Sequence, residues 1–441
     1  MEYWAECTPT TTLFSRRRNK VQEVPMRPVL SLVLVALLLP GLPALAADPA
    51  RGEARAAACA ACHGRDGIGV SDEFPNLAGQ KAAYIARQLR AFRDGTRRNA
   101  TMEPMAKTLS DADIEDLAAW FASLPPCPEK QASPSRPAGT DEGMTTPKTA
   151  FTQPVFVSMK KDGTLWRFPD QARWQAGPTT LYDAVTPDGR IVATTIPSRH
   201  QVAILDAQTG KRLAVLDVGK DPKGVKMTPD GRFAWVSNQG SDNISVIDLE
   251  ALKVVATIPT GKGPHNVRFT KDGGTAYVTL QGGEGLGVID VAARRQVRVI
   301  PVPGITGPHN LDLSPDEGTA WVRDFVNNVA VVDLKQGRVR KVIKVGNGHG
   351  GIDVSPDGRR VATASIGSDF VTLIDPATFE TREVRVGKGP HGIRFSVDGK
   401  WLYVTVTGEN RVAVIDPERA AVAGRIPVDA FPFWIALSGN P

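Results

Sequence analysis

The chain has 441 residues, 41% hydrophobic and 23% charged, an ordinary globular balance with room for two or three domains. Residues 1–46 contribute +2 of its net charge of +6, and no Lys/Arg-rich run with interleaved aromatics occurs. Nucleic acid is therefore excluded as a partner.

The first predicted element is an export signal. "MRPVLSLVLVALLLPGLPALAADPA" starts at Met26 with Arg27, continues as an apolar run and ends on Ala44-Leu45-Ala46, the small-x-small pattern of a cleavage site. Pro40, Gly41 and Pro43 break the run, so a cleaved signal over residues 1–46 is predicted, with residues 1–25 an N-terminal extension. The expected address is the periplasm, with no membrane span after cleavage. Cys59, Cys62 and Cys127 remain in the mature chain.

Cys59, Cys62 and His63 form C-x-x-C-H, the attachment signature of c-type haem. Both thiols add to porphyrin vinyl groups, and the adjacent imidazole falls under the iron. A thioredoxin-like site would want a βαβ surround, and structural zinc a second ligand pair. A soft sixth ligand is expected downstream, where Met102 and Met105 stand; the remaining methionine fills core space. Helices are predicted at Lys81–Arg93, with Ile85, Leu89 and Phe92 on one face, and after Ser110, with Asp113 completing a capping box. Residues 47–126, with "CAACH", "FPNLAGQ", "YIARQLRAF" and "LSDADIEDLAAWFASL", resemble a class I bacterial cytochrome c. The resemblance implies a small all-α domain with one covalent haem c. It also implies Met102, seven residues before Leu109, as the iron ligand, with Met105 as the alternative.

Residues 127–150 are rich in Pro, Ser, Thr and Lys and read as a linker. Repeats follow over 151–441. Turn aspartates Asp188, Asp230, Asp272, Asp316, Asp357 and Asp398 lie 42, 42, 44, 41 and 41 residues apart, the period of β-propeller blades. "WLYVTVTGENRVAVID" resembles the YVTN family of propeller repeats. Six units are complete or nearly so; a seventh is made by joining "FWIALSGNP" to "PVFVSMKKDGTLWRFP", which removes the sheet edges. The expected fold is thus an all-α cytochrome followed by an all-β propeller of seven blades, with eight as the alternative.

In a propeller the innermost strands line a central channel. His265, His309 and His391 each lie seven residues before their turn aspartate, and His349 eight before. His200 lies between a second and a third strand, on the same face. These five histidines are the candidate catalytic set, because convergent imidazoles suit copper or haem iron. Lysines near the same slot favour a small anionic substrate. Duplication also copies letters without function, and a histidine in such a turn can simply hydrogen-bond its neighbours.

A cytochrome followed by a propeller is similar to the haem d1 nitrite reductases, which implies haem d1 at the histidines, fed by the c haem. Those propellers have eight blades and place a histidine where this chain has Leu181-Tyr182. Seven-bladed copper enzymes also gather channel histidines, which implies copper instead. Three functions follow. The first is a periplasmic oxidoreductase with a second redox cofactor, exchanging electrons with a redox partner. The second is an electron carrier whose propeller binds a partner or ligand. The third is a lactonase-like hydrolase.

Overall fold

The computed structural model describes residues 47–56, 59–64, 66–69, 74–99, 102–126, 150–283, 285–429 and 431–438. The predicted signal at 1–46, Cys127 and the predicted linker up to residue 149 lie outside the described residues. No helix among the described residues is long and apolar enough to cross a membrane.

Among the described residues, five helices make the N-terminal domain: α1 (Pro49–Ala56), α2 (Ala60–His63), α3 (Ala82–Arg93), α4 (Met102–Lys107) and α5 (Asp111–Ser123). The capping box forms as expected. The Ser110 hydroxyl accepts from the Asp113 N–H, and the Asp113 carboxylate accepts from the Ser110 N–H. Such caps contribute about 1 kcal/mol. Helix α1 crosses α5 at Gly52, where a Cβ would stand 2.1 Å from the Asp116 carbonyl oxygen. Only glycine permits that approach. The Asp116 carboxylate then takes the Asp48 N–H at 2.7 Å and the Arg51 guanidinium at 2.8 Å. Ile85, Ile114, Leu117 and Phe121 form the core beneath.

The rest is seven four-stranded antiparallel sheets, with no eighth among the described residues. Six sheets use consecutive strands. Their inner strands are Asp183–Val185, Pro222–Met227, Pro264–Phe269, Asn310–Leu313, Ile352–Val354 and Pro390–Phe395. The seventh takes Pro432–Leu437 as its innermost strand and Val155–Met159, Thr164–Phe168 and Ala172–Gln175 as the others, paired Phe156 to Ala436. The ring is thus closed by strands from both ends of the repeat region, and the short inner edges of the sheets face the central channel.

Apolar clusters lie between neighbouring sheets. Trp235, Val246 and Ile258 of one blade meet Val267, Phe269 and Val278 of the next. Each fully buried large apolar side chain contributes about 1.5–3 kcal/mol. The repeated T/S-x-D-G letters build the turn between first and second strands. Thr186 Oγ1 donates to Asp188 Oδ1 at 2.6 Å, while Oγ1 itself accepts from the Ile191 N–H at 3.0 Å. The same pattern recurs at Thr228, Thr270, Ser314, Ser355 and Ser396. Gly189, at φ 73°, supplies the left-handed position. In "SPDEG" that position falls to Glu317, at φ 58°. The turn letters therefore serve the fold, at the end of the strands away from the histidines.

Candidate functional site

Helix α2 is a single turn that carries the C-x-x-C-H residues. Cys62 and His63 are buried and Cys59 half-buried. Burial pushes the Cys59 thiol up to about 11, so it stays protonated at neutral pH. The His63 Nδ1–H donates to the Pro75 carbonyl at 2.8 Å. That bond fixes the ring and leaves Nε2 as the lone-pair nitrogen. Burial lowers the His63 pKa, against the pull of the Pro75 carbonyl, so the ring is neutral and able to ligate. Two thiols one turn apart, with a pinned neutral imidazole beside them, fit a covalent haem. Met102 opens α4 and is half-buried. Met105 packs against Cys62, Phe325 and Ile366.

Four of the five propeller histidines converge. His265, His309, His349 and His391 are all buried. Their ring centroids step round the channel mouth at 3.9, 4.8 and 5.2 Å. Phe433, 3.8 Å from His391, and Tyr182, 5.4 Å from His265, complete the circle; these two rings lie 5.6 Å apart. His200 stands outside it. It is exposed, at φ 58°, and its Nδ1 accepts the Asp221 N–H at 3.2 Å.

The ring nitrogens are unevenly satisfied. His265 Nδ1 donates to the His309 carbonyl at 2.9 Å and His391 Nδ1 to the Phe433 carbonyl at 3.0 Å. His265 Nε2 faces the Tyr182 hydroxyl at 3.4 Å. Both nitrogens of His309, Nδ1 of His349 and Nε2 of His391 are buried with no hydrogen-bond partner. One nitrogen from each of His309, His349 and His391 falls within 4.8 Å of the others. Burial, then neighbouring histidines and Arg323, drives the His309 pKa well below the ordinary imidazole value. Burial also takes His391 down to about 3. These are neutral imidazoles with lone pairs aimed at common space, the donor set of a borderline transition metal. An orphaned buried polar atom costs about 1–3 kcal/mol, and a cation at that point would relieve several at once.

The space before them is a cavity of about 80 Å³. Lys160, Lys223, Gln239, Gln281, Phe325, Phe431 and Phe74 of the cytochrome domain line it, with no carboxylate among the lining residues. At roughly 10–15 Å³ per water it holds a few small-molecule atoms. The cytochrome domain closes this face. Cys62, Phe74 and Met105 pack on Phe325 and Ile366, and the Lys262 ammonium donates to Glu103 at 2.8 Å.

Below the histidines the channel is plugged by charge. Arg268 pairs with Asp312 at 2.7 Å and Arg394 with Asp353 at 2.8 Å. Each of these residues stands three or four positions after a histidine. Asp183 is buried among them with neither carboxylate oxygen bonded. The Ser158 hydroxyl beside it is committed to the Leu181 carbonyl. Burial raises the Asp183 carboxyl to about 8. It therefore binds a proton that the unfolded chain releases above about pH 4, and stability falls as pH rises toward 8. Asp183→Asn is expected to raise the thermal midpoint, by more at about pH 8 than at about pH 5. Equal gains at both would contradict a protonated carboxyl.

Sequence reasoning missed Tyr182, one position from the Leu181 it placed in the slot, and it missed Phe74, Lys160 and Phe325. The signal for Tyr182 was its aromatic ring beside the slot; a contact made by Phe74 from another domain leaves none.

A cytochrome c oxidase cbb3-type subunit III family model matches residues 47–121, and a YNCE-like beta-propeller model matches 170–316. Cytochrome c-554(548) of Halomonas halodenitrificans is 48% identical over 81 residues, 18% of this chain and 98% of that protein. Cytochrome c4 of Pseudomonas aeruginosa is 44% identical over 98 residues, 22% of this chain and 49% of the relative. The chain thus spans about half the length of that cytochrome c4. Among solved structures, Kuenenia stuttgartiensis hydrazine synthase matches at TM-score 0.55 and 24% identity, over 59% of this chain and 90% of that one. The dihydro-heme d1 dehydrogenase NirN matches at TM-score 0.51 and 20% identity, over 88% and 99%. Both show the fold alone. The haem c motif and these matches together make the chain a haem c electron-transfer protein that belongs to the c-type cytochromes through residues 47–121 and carries a YNCE-like propeller behind them.

Proposed function

We propose that this chain is a periplasmic oxidoreductase whose haem c exchanges electrons with a second metal, copper, held by His309, His349 and His391 with His265 beside them. The haem is attached at Cys59 and Cys62, with His63 and Met102 as its axial ligands. Met105 is assigned to packing, because its side chain is committed to Cys62, Phe325 and Ile366. The observation that carries the reading is the set of buried, neutral, unpartnered imidazole nitrogens within 4.8 Å of one another. A cavity of about 80 Å³ favours a bare ion over the alternative haem d1, since a macrocycle would have to displace Phe74. Lys160 at the cavity, with no lining carboxylate, favours a small anion as substrate, whereas Lys223 is paired with Asp221 at 2.9 Å. His200, exposed and outside the circle, is dropped from the catalytic set.

The test is iron and copper per chain in protein matured with haem and supplied with copper. One iron and about one copper per chain is the expected result. One iron and no second metal would leave an electron carrier whose propeller binds a partner.

A further inference from the structure

One ring touches both sides of the interdomain contact. Phe325 follows the strand Thr319–Arg323 and shares one buried apolar cluster with Ile366 and with Cys62 of the haem-attachment motif. It stacks on His349 with centroids 4.4 Å apart and planes 10° apart, and meets His309 edge-on at 5.4 Å. A buried pair fixes the ring in place. Arg323 and Asp324 are fully buried and joined at 2.6 Å. Asp324 Oδ1 takes the N–H groups of Val326 and Asn328, at 3.0 and 2.8 Å, which shapes the loop around Phe325. Arg323 donates to the carbonyls of Gly346 and Gly348, which fixes the loop before His349. The Gly348 N–H returns to the Val326 carbonyl, and the Phe325 N–H is tied to the Thr306 carbonyl at 3.0 Å. One ion pair therefore sets both the aromatic ring and the imidazole it stacks on. Breaking such a buried pair is strongly destabilising, because a charge is left uncompensated.

We infer that Phe325 is the positioning residue that couples the two redox centres, placed in the buried cluster of Cys62 and stacked on His349. This rests on the copper reading above. With haem held at Cys59 and Cys62 and copper at His309, His349 and His391, a single electron would pass from one to the other, and no atom or proton would be exchanged. A π system stacked on His349 within the Cys62 cluster gives better electronic overlap than an aliphatic side chain or a gap. The sequence placed no role on Phe325, and neither turn chemistry nor blade packing requires an aromatic there.

The test uses full-length protein with both metals loaded and Phe325→Leu, with Phe325→Tyr as the conservative variant. Haem is reduced by a light pulse, and its reoxidation by copper is followed at the reduced-haem absorption band. Phe325→Leu is expected to slow internal transfer about tenfold or more, with copper content and haem spectrum unchanged, and Phe325→Tyr to restore it. Transfer at the parental rate in a fully loaded Phe325→Leu chain overturns the inference. A second readout is independent of copper. In ring-labelled protein the Phe325 signal should shift when iron is oxidised from the diamagnetic to the paramagnetic state. An unshifted signal overturns the inference whatever copper does, whereas a shifted signal in a chain that takes no copper would count against the copper reading alone.

Discussion

His63→Ala, matured with haem, is expected to retain the thioether-bound haem and lose its low-spin reduced spectrum completely. Cys59 and Cys62 still hold the macrocycle, so the haem stays with the polypeptide. What disappears is the nitrogen that the Pro75 carbonyl aims, at 2.8 Å, through the other side of the ring. Methyl-for-imidazole replacement leaves no donor to take its place. The iron loses its proximal ligand, its spin state rises and its potential moves, because axial ligation is the main lever on both. Absorption and electron paramagnetic resonance of the purified variant measure this. A spectrum like the parent's would overturn His63 as the axial ligand. The effect should be all-or-none, unlike changes at residues that only tune the site.

His309→Leu is expected to abolish copper binding in the propeller while leaving the haem untouched. His309 is one of the two inner imidazoles of the four, 3.9 Å from His265 and 4.8 Å from His349 by ring centroid. Removing even an outer-shell partner of a metal site commonly costs about 10–100-fold in affinity, so loss of a direct ligand should exceed that. Stability should move in the other direction. In the metal-free chain both ring nitrogens of His309 are buried without partners. Leucine of similar size removes that penalty, and the apoprotein should gain about 1–3 kcal/mol. Copper titration and thermal denaturation of the two metal-free chains measure the pair of effects. If His309 were only a letter of the repeat, copper occupancy would not depend on it. Opposite signs in the two experiments would mark a position kept for binding at the expense of folding.

The features legible in advance were those written in local spacing. C-x-x-C-H could be read as a haem-attachment motif because its three residues stand within one helical turn. Turn aspartates some 42 residues apart revealed the blades, and each aspartate proved to tie its own turn through a Thr or Ser hydroxyl. Closure of the ring by Pro432–Leu437 against Val155–Met159 was readable because each end lacked what the other offered. Four histidines could be brought together because inner strands repeat about one axis. His200 could not be separated from them, since a loop on the right face may lie at its rim as well as its centre. The lysines divide for a similar reason. Lys223, in the repeat slot, lines the cavity, whereas Lys262 reaches Glu103 of the cytochrome domain and Lys160 lines the cavity from outside the slot. The docking of Cys62 and Met105 on Phe325 and Ile366 depends on contacts across hundreds of residues, and no local period encodes it.

The closing strand also sets an order of assembly. A ribosome delivers residues 47–126 long before residues 432–437, and the histidine circle lacks Phe433 until that last strand is laid down. The haem-attachment face therefore exists for most of the chain's synthesis with nothing complete to dock on. On the proposed haem attachment, Cys59 and Cys62 would be reached before Phe325 and Ile366 cover Cys62. Placing the cytochrome first and the final strand last would make haem loading the early event and sealing the late one. A chain permuted to begin with the propeller would reverse them, and would offer the haem-attachment machinery a face already covered.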